Sequence, residues 1–337
     1  MAAGALITLP RQMRRLITLS TLAALAAAGS AFGQEPTTTT PPPPPAPPAG
    51  QLTVVVDKVG KFSTTVARTR WRVRGDISPY VAGQEVVVRV YRDGKKFLAK
   101  RAKVTPGATG GVGHFKVPVR TGVSGPVTVR VSKPATATQG ALKAPAQHVL
   151  VLPAHVTPGA TGNAVRVMQR ELRALGYVPG RRGVFDARTG RAILAFRKVS
   201  GLARTTIADH SVFRRMAAGG GRFEIRYPGH GKHVEADLSL QVLALIDHGK
   251  VRRIYPTSSG KPSTPTVLGH YRFYSKTPGF NSHEMYFSNY FIGGYAIHGY
   301  FDVPVYNASH GCLRVPNPDA RAIYDWVRIG DRIDVYR

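Results

Sequence analysis

The spacing of apolar residues changes twice along this 337-residue chain, and no single domain accommodates both changes. Between 52 and 152 apolar and polar residues alternate, as in Trp71-Arg72-Val73-Arg74. From 161 the apolar residues recur at helical spacing: Val165, Met168, Leu172 and Leu175. From 222 onwards, strand-like runs return. The pattern predicts a β region, a small helical region and a second, mostly β region.

Residues 51–152 are predicted to form a basic, all-β immunoglobulin-like sandwich. About seven short strands fit into this length, which is typical of that architecture. Asp93-Gly94, between a Val-rich run and Phe97-Leu98, predicts a β-hairpin. No set of catalytic residues is found in this region.

The N-terminal residues 1–33 have the pattern of a secretory signal peptide. Arg11, Arg14 and Arg15 precede an uncharged, Leu- and Ala-rich run that ends in small residues at Gly33. The alternative is an uncleaved signal anchor in the membrane, and both interpretations export the rest of the chain. A Thr/Pro-rich linker follows at 34–50, whose proline run favours an extended polyproline spacer.

Basic residues exceed acidic ones by 29, and the excess lies in the middle of the chain. Residues 51–150 carry 18 basic and 4 acidic side chains, and 151–221 carry 12 and 3. Such a charge favours a polyanionic partner. Nucleic acid is the first class to consider, but the predicted export argues against it.

The helical region at 157–218 predicts a three-helix module. Its second helix begins after Asp186 as N-cap, and a third fits near 211–216. The module resembles the peptidoglycan-binding three-helix family at these positions: Gly162, Val165, Gln169, Leu172, Leu175, Gly176, Tyr177, Gly183, Phe185, Thr189, Ala192, Phe196, Gly201 and Leu202. Arg182-Gly183 and Phe185-Asp186 depart from the family's usual Asp-Gly and Phe-Gly. The alternative is a DNA-reading helix-turn-helix, which an exported protein rarely needs.

The last region, 222–337, predicts a mostly β unit with one late helix. Strands are expected at 223–226, 238–246, 251–254 and 270–274. Asn317 as N-cap followed by Pro318 predicts the start of the helix, and Gly330 its stop.

The chemistry of this region is expected at its only cysteine, Cys312, and two nearby histidines, His298 and His310. A thiolate is the nucleophilic form of cysteine and requires a neighbouring base or positive field. His310 lies two residues before Cys312, on the same face of an extended strand, whereas His298 is expected to return through a hairpin. Spacing alone leaves both histidines open as the base. Gly311 and Gly299 allow tight turns that present amide donors, as an oxyanion hole requires.

These residues allow two other interpretations. His298, His310 and Cys312 form a poor metal set, because His-X-Cys lacks the usual zinc spacing and the chain has no second cysteine. No metal site was therefore predicted. The remaining alternative, two core histidines and a packing cysteine, does not explain why Ser-His-Gly-Cys occurs together on an exported chain.

The motif resembles the L,D-transpeptidase (YkuD-type) family, in which His-Gly precedes Ser/Thr-His-Gly-Cys. Here His298-Gly299 and Ser309-His310-Gly311-Cys312-Leu313-Arg314 match, over an extent of about 222–337. The resemblance implies Cys312 as nucleophile, His298 as its base and a Gly299 carbonyl that orients the imidazole. It also implies that His310 shapes the pocket and that Ser309 and Gly311 belong to the oxyanion and orienting set. The interval from His298 to Cys312 is short for the family.

The resemblance also implies the reaction: 3→3 cross-links formed between peptidoglycan stem peptides through a thioacyl enzyme, without a cofactor. Arg314 is expected to meet a substrate carboxylate, and Tyr286, Tyr300 and Tyr306 to line the cleft. The basic middle of the chain suits anionic cell-wall polymers, and the membrane is a partner only if the signal is uncleaved. The expected location is the cell wall or extracytoplasmic space. The alternatives are an L,D-carboxypeptidase, with water as acceptor, and a non-catalytic wall-binding protein.

Overall fold

The computed structural model describes residues 50–108 and 110–337. The predicted signal peptide and all of the linker except Gly50 lie outside the described residues. Within the described part of the chain, no helix has both the length and the apolar composition needed to cross a bilayer.

The first unit consists of two β-sheets that enclose one hydrophobic core. One sheet has the strand order β1-β3-β7-β6 and the other β2-β10-β8-β4-β5, with β9 paired to β8. The strands are β1 (Gln51–Asp57), β2 (Thr64–Val66), β3 (Arg70–Ser78), β4 (Glu85–Arg92), β5 (Lys95–Lys103), β6 (Thr105–Pro106), β7 (Gly113–Arg120), β8 (Gly125–Lys133), β9 (Leu142–Lys143) and β10 (Gln147–Leu152). The predicted hairpin is confirmed, since Asp93 and Gly94 join β4 to β5 with positive φ angles of 48° and 75°. The immunoglobulin-like topology stays a prediction.

The helical module contains the three predicted helices, α1 (Asn163–Ala174), α2 (Ala187–Val199) and α3 (His210–Ala217). Asp186 is the N-cap of α2, as predicted, because its carboxylate accepts the Thr189 N–H. Asp209 caps α3 in the same way.

The C-terminal unit contains two sheets and the fourth helix. The five-stranded sheet has the order β13-β12-β11-β19-β14, and the second sheet, here called the cysteine sheet, has the order β15-β16-β17-β18. Its elements are β11 (His233–Asp237), β12 (Val242–Asp247), β13 (Lys250–Pro256), β14 (Gly269–Arg272), β15 (Ser275–Phe280), β16 (Tyr286–Ile292), β17 (Tyr295–Tyr300), β18 (Leu313–Pro316), α4 (Asn317–Trp326) and β19 (Arg332–Tyr336). This mostly β architecture with one late helix was predicted.

Three local predictions in this unit were wrong. The strand predicted over 238–246 begins only at Val242, because residues 238–241 form the turn between β11 and β12, where the Leu240 N–H donates to the Asp237 carboxylate. Residues 223–226 form no strand, because the Arg226 and Tyr227 amides donate to the Glu235 carboxylate and not to a neighbouring strand. Asn317 is the first residue of α4 and not its N-cap, and the helix ends at Trp326, before Gly330.

The helical module shares its core with the five-stranded sheet. Val242, Ala244 and Ile246 of β12 pack into the cluster that contains Met168 and Phe196, whereas Leu243 and Leu245 point into the core between the two C-terminal sheets. β12 is therefore buried on both faces, which explains its unbroken apolar run. The module is continuous with the C-terminal unit through this packing.

Candidate active site

Cys312 lies directly before β18, at the edge of the cysteine sheet. Its side chain is half-buried, and its Sγ donates a weak hydrogen bond to the Gly294 carbonyl at 3.6 Å. Gly293 and Gly294 form the turn between β16 and β17, so this turn lies against the thiol. A hydrogen bond from the Ala296 N–H also reaches the sulfur.

His298 is brought beside Cys312 by parallel pairing of β17 and β18, and not by the hairpin expected from the sequence. In this register His298 pairs with Arg314, so the two side chains lie on the same face of the sheet. Cys312, two residues before Arg314, is directed to that face too. The neighbours Ile297 and Leu313 point into the core instead.

The imidazole of His298 is buried and held in one tautomer. Its Nδ1 donates to the Gly299 carbonyl at 2.8 Å, which leaves Nε2 of the neutral ring as the proton acceptor. This is the contact that the resemblance implied for Gly299. The absence of a side chain at Gly299 also matters, because a Cβ there would lie 2.6 Å from Asn317 Oδ1 and 2.8 Å from Ala320 Cβ.

Burial favours the neutral form of both reactive groups. It lowers the pKa of His298 to about 4, and the positive charge of Arg314 acts in the same direction. Burial raises the pKa of the Cys312 thiol, an effect opposed by the Ala296 hydrogen bond and by Arg314. At neutral pH the pair therefore rests as a neutral thiol and a neutral imidazole, and not as a thiolate–imidazolium ion pair.

Ser309 and Gly311 form the turn that presents Cys312. Ser309 Oγ donates to the Cys312 carbonyl at 2.6 Å and accepts the Gly311 N–H at 3.0 Å. Gly311 has φ of +121°, and a Cβ there would lie 2.0 Å from a ring carbon of Tyr295. Thr266 Oγ1 donates to the Gly311 carbonyl at 2.7 Å. The Gly311 N–H therefore already donates a hydrogen bond within the turn.

His310 lies on the surface, where its Nε2 accepts a hydrogen bond from Lys261 Nζ at 3.1 Å. The structure therefore favours His298 over His310 as the histidine that faces the thiol, a choice that spacing alone left open.

Of the four predicted substrate-binding residues, Arg314, Tyr300 and Tyr286 lie in one aromatic cluster near His298, and Tyr306 lies apart from it. The Arg314 guanidinium lies 4.0 Å above the Tyr300 ring, whose centroid is 5.8 Å from that of His298. Tyr286 packs against Phe280 at 4.5 Å. Tyr306 is exposed in the connection before Cys312, and no aromatic contact ties it to these rings among the described residues.

Sequence reasoning missed two aromatic residues, Phe280 and Phe301. Their rings stack at 5.7 Å and are 54% and 71% exposed, next to Tyr286 and Tyr300. An exposed apolar surface of this kind is typical of a binding site. Only the Tyr300-Phe301 dipeptide directly after His298-Gly299 hinted at it in the sequence.

A buried lysine connects the helical module to the reactive strand. Lys198, near the end of α2, is 3% exposed, and its Nζ donates to the carbonyls of Gln241 and Thr257, each at 3.0 Å. Thr257 Oγ1 in turn donates to the Arg314 carbonyl at 2.7 Å. Arg191 and Arg188 of α2 also pair with the buried carboxylate of Asp319 on α4, at 2.7 and 3.2 Å.

We expect Lys198→Met to change how stability depends on pH. Burial, with a smaller effect of Arg204, lowers the pKa of Lys198 to about 7, whereas an unfolded lysine keeps its ordinary value of 10.5. Between these values the unfolded state binds more protons, so the free energy of unfolding of the wild type rises with pH. From pH 7 to 9 the gain is about 2 kcal/mol, and the variant lacks it.

The measurement is denaturant unfolding of wild type and Lys198→Met at several pH values, with the exposed Lys250→Met as matched control. The difference in stability should grow with pH for Lys198→Met and stay constant for Lys250→Met. Parallel curves for wild type and Lys198→Met would show that this lysine stays charged in the fold.

Comparison with known proteins assigns the C-terminal unit. Residues 231–335 match the family model of the L,D-transpeptidase catalytic domain (YkuD), and residues 161–216 match that of a putative peptidoglycan-binding domain. The chain is similar to the crystal structure of the L,D-transpeptidase (residues 123–326) from Xylanimonas cellulosilytica, with 33% identity and a TM-score of 0.51. The match covers 98% of that chain and 55% of this one. The chain belongs to the L,D-transpeptidase family.

A second similar structure is the L,D-transpeptidase (Yku) from Stackebrandtia nassauensis, with 20% identity and a TM-score of 0.34 over 55% of this chain and 96% of that one. A search of curated proteins found no match. The predicted resemblances to the transpeptidase and peptidoglycan-binding families are both confirmed. These two family matches point to peptidoglycan as the substrate and to an association with the cell wall.

Proposed function

We propose that this protein is an exported enzyme that forms 3→3 cross-links in peptidoglycan, with Cys312 as nucleophile and His298 as general base. The observation that carries the proposal is the pairing of β17 with β18, which places a half-buried thiol and a buried neutral imidazole on one face. The Nδ1 bond to the Gly299 carbonyl leaves Nε2 as the atom that takes the thiol proton.

In the first half-reaction, Cys312 Sγ attacks the carbonyl between the third residue of a tetrapeptide stem and its terminal D-Ala. The thiol proton moves to His298 Nε2 and then to the leaving amine, so D-Ala departs and a thioester remains. Because Ser309 Oγ already holds the Gly311 amide, we assign the oxyanion to the Cys312 N–H.

In the second half-reaction, the side-chain amine on the third residue of a neighbouring stem attacks the thioester. His298 Nε2 takes a proton from this amine and returns it to the departing Cys312 sulfur, which restores the neutral pair. The product is an amide bond between two third residues, and no cofactor takes part.

Substrate binding is assigned to the surface around His298. Arg314 supplies a positive charge for the carboxylate of the donor stem, and Tyr300 holds its guanidinium by a cation–π contact at 4.0 Å. Phe280 and Phe301 provide an exposed apolar surface for the stems. The helical module, attached to this unit by the contacts of Lys198 and Asp319, is assigned to binding peptidoglycan.

The two-sheet unit is assigned as an immunoglobulin-like spacer that contacts anionic wall polymers. Its strand β5 is exposed along most of its length and carries Lys95, Lys96, Lys100, Arg101 and Lys103. Their charge attracts phosphate- or carboxylate-rich polymers.

The test is incubation of the purified protein with a disaccharide-tetrapeptide, followed by mass spectrometry. A cross-linked dimer that has lost one D-Ala is the expected product. Tripeptide alone would instead identify an L,D-carboxypeptidase. If no product forms, the result would favour a non-catalytic wall-binding protein. Cys312→Ala, treated in the same way, is the control for any activity that does not depend on the thiol.

A further inference from the structure

Three residues lie close together on the face of the five-stranded sheet that points away from the cysteine sheet: His230, His270 and Asp334. Asp334 on β19 is the direct cross-strand neighbour of His270 on β14, and His230 lies in the short 3-10 turn Pro228–His230 that precedes β11. His270 Nδ1 lies 2.6 Å from Asp334 Oδ1, and His230 Nδ1 lies 3.0 Å from Asp334 Oδ2. Each carboxylate oxygen therefore faces one imidazole nitrogen.

Asp334 is a buried carboxylate with no strong positive charge beside it among residues 50–108 and 110–337. Its side chain is 0% exposed, and within the described part of the chain it has no Lys or Arg partner at ion-pair distance. A buried carboxylate is costly unless a cation and full hydrogen bonding accompany it. The two imidazoles are the only side chains that contact its oxygens among the described residues.

A second buried carboxylate on the neighbouring strand increases this cost. Glu235 is the parallel-strand partner of Asp334 and is also 0% exposed. Its oxygens accept four hydrogen bonds, from the Arg226 and Tyr227 amides, the Tyr336 hydroxyl and His233. Glu235 therefore has four hydrogen-bond donors, whereas Asp334 has two among the described residues. A cation bound at Asp334 would offset the cost of its buried charge.

The ligand set fits a transition metal. His230, His270 and Asp334 each offer one ligand atom, and these three atoms lie within 4.8 Å of one another. Two imidazole nitrogens and one carboxylate oxygen suit Zn²⁺, while Mg²⁺ and Ca²⁺ prefer oxygen ligands. His270 is 55% exposed, which gives the ion a path from solvent and leaves room for a water as fourth ligand.

The surroundings hold the imidazoles in place. The Tyr227 ring stacks on His230 at 5.1 Å with an interplanar angle of 11°, and it meets His270 edge-on at 4.9 Å. Packing of this kind fixes ligand orientation before the ion arrives.

We propose that His230, His270 and Asp334 form a Zn²⁺ site that stabilises the fold, in which each neutral imidazole binds the metal through Nδ1 and carries its one proton on Nε2. The ion ties together three separate segments: the connection from the helical module, β14 and β19. Asp334 lies between Ile333 and Val335, which point into the core between the two C-terminal sheets, so the site is on the opposite face from that core. Metal binding should therefore stabilise the fold without taking part in the Cys312 chemistry.

These three residues lie far apart in the sequence. Asp334 is 104 residues from His230 and 64 from His270, whereas the set weighed for a metal, His298, His310 and Cys312, spans 15 positions. Such long intervals give no local sequence signal: the register of β14 with β19 pairs His270 with Asp334, and the turn before β11 adds His230.

The experiment measures Zn²⁺ binding to the full chain, purified without a histidine tag and carrying Cys312→Ala so that the thiol does not bind the ion. After chelator treatment and dialysis, bound Zn²⁺ is counted by elemental mass spectrometry and the melting temperature is followed against Zn²⁺ concentration. We expect one ion per chain and a melting temperature that rises with Zn²⁺.

His270→Ala and Asp334→Asn should each weaken binding at least tenfold and remove the rise in melting temperature. His248→Ala is the matched control, since His248 forms a comparable pair with Asp247 at 2.6 Å but belongs to no three-ligand group within the described part of the chain. It should bind Zn²⁺ as the parent does. The proposal would be overturned if the parent shows no saturable binding, if the exposed His270→Ala variant binds Zn²⁺ as the parent does, or if His248→Ala loses binding to the same extent.

Discussion

Cys312→Ala is expected to abolish cross-linking, with a loss of more than about a thousandfold in turnover. The variant removes the atom that forms the thioester, and no second cysteine is present to replace it. Cys312→Ser should be nearly as inactive. A serine hydroxyl is a much weaker acid than a thiol, and His298, with a pKa of about 4, is a weak base that would have to deprotonate it.

The measurement is the rate of dimer formation by mass spectrometry, together with the mass of the intact protein after exposure to substrate. Wild type should gain the mass of an acyl group, and neither variant should. The fold is checked by the melting temperature, which should change little because the half-buried thiol makes only weak sulfur hydrogen bonds, to the Gly294 carbonyl and from the Ala296 N–H. If Cys312→Ala forms the dimer at a rate near that of wild type, Cys312 is not the nucleophile.

Local sequence signals predicted where helices, strands and turns occur better than they predicted which of these elements pack together. Asp93-Gly94 and Asp186 act through their own backbone neighbours, so the hairpin and the helix start could be predicted from a few residues. The apolar run 238–246 predicted a strand that the structure contains from Val242 onwards. It did not show that β12 packs on helices at one face and on the cysteine sheet at the other, because periodicity shows which residues are buried and not what covers them.

The candidate site shows the same limit. The motif at 309–314 was visible in the sequence, and the structure places His298 beside it. The parallel pairing of β17 with β18 was missed, since fourteen residues of sequence separation fit a hairpin as well as a crossover. The contacts between the helical module and the C-terminal unit were also missed. Lys198 reaches Thr257 from a helix in another module, and no spacing rule relates residues so far apart.

His298→Gln is expected to lower the rate of acylation by about 10²–10⁴-fold with little change in substrate binding. Glutamine keeps a donor for the Gly299 carbonyl but removes the base. In wild type, His298 is neutral above its pKa of about 4, so activity should be constant from about pH 5.5 to 8 and should fall as the pH drops through 4. A fall centred near 6.5 would indicate an ordinary histidine and contradict the buried, neutral pair.

The variant should also acquire a different pH profile. Without a base, the reaction depends on thiolate formed by direct ionisation of Cys312, whose pKa is raised by burial. The rate of His298→Gln should therefore rise about tenfold per pH unit up to that pKa, because each unit increases the thiolate fraction tenfold. His310→Gln is the matched control, since His310 is exposed and bonded to Lys261, and it should keep the flat wild-type profile. The opposite result, a flat profile for His298→Gln and a steep one for His310→Gln, would assign the base to His310.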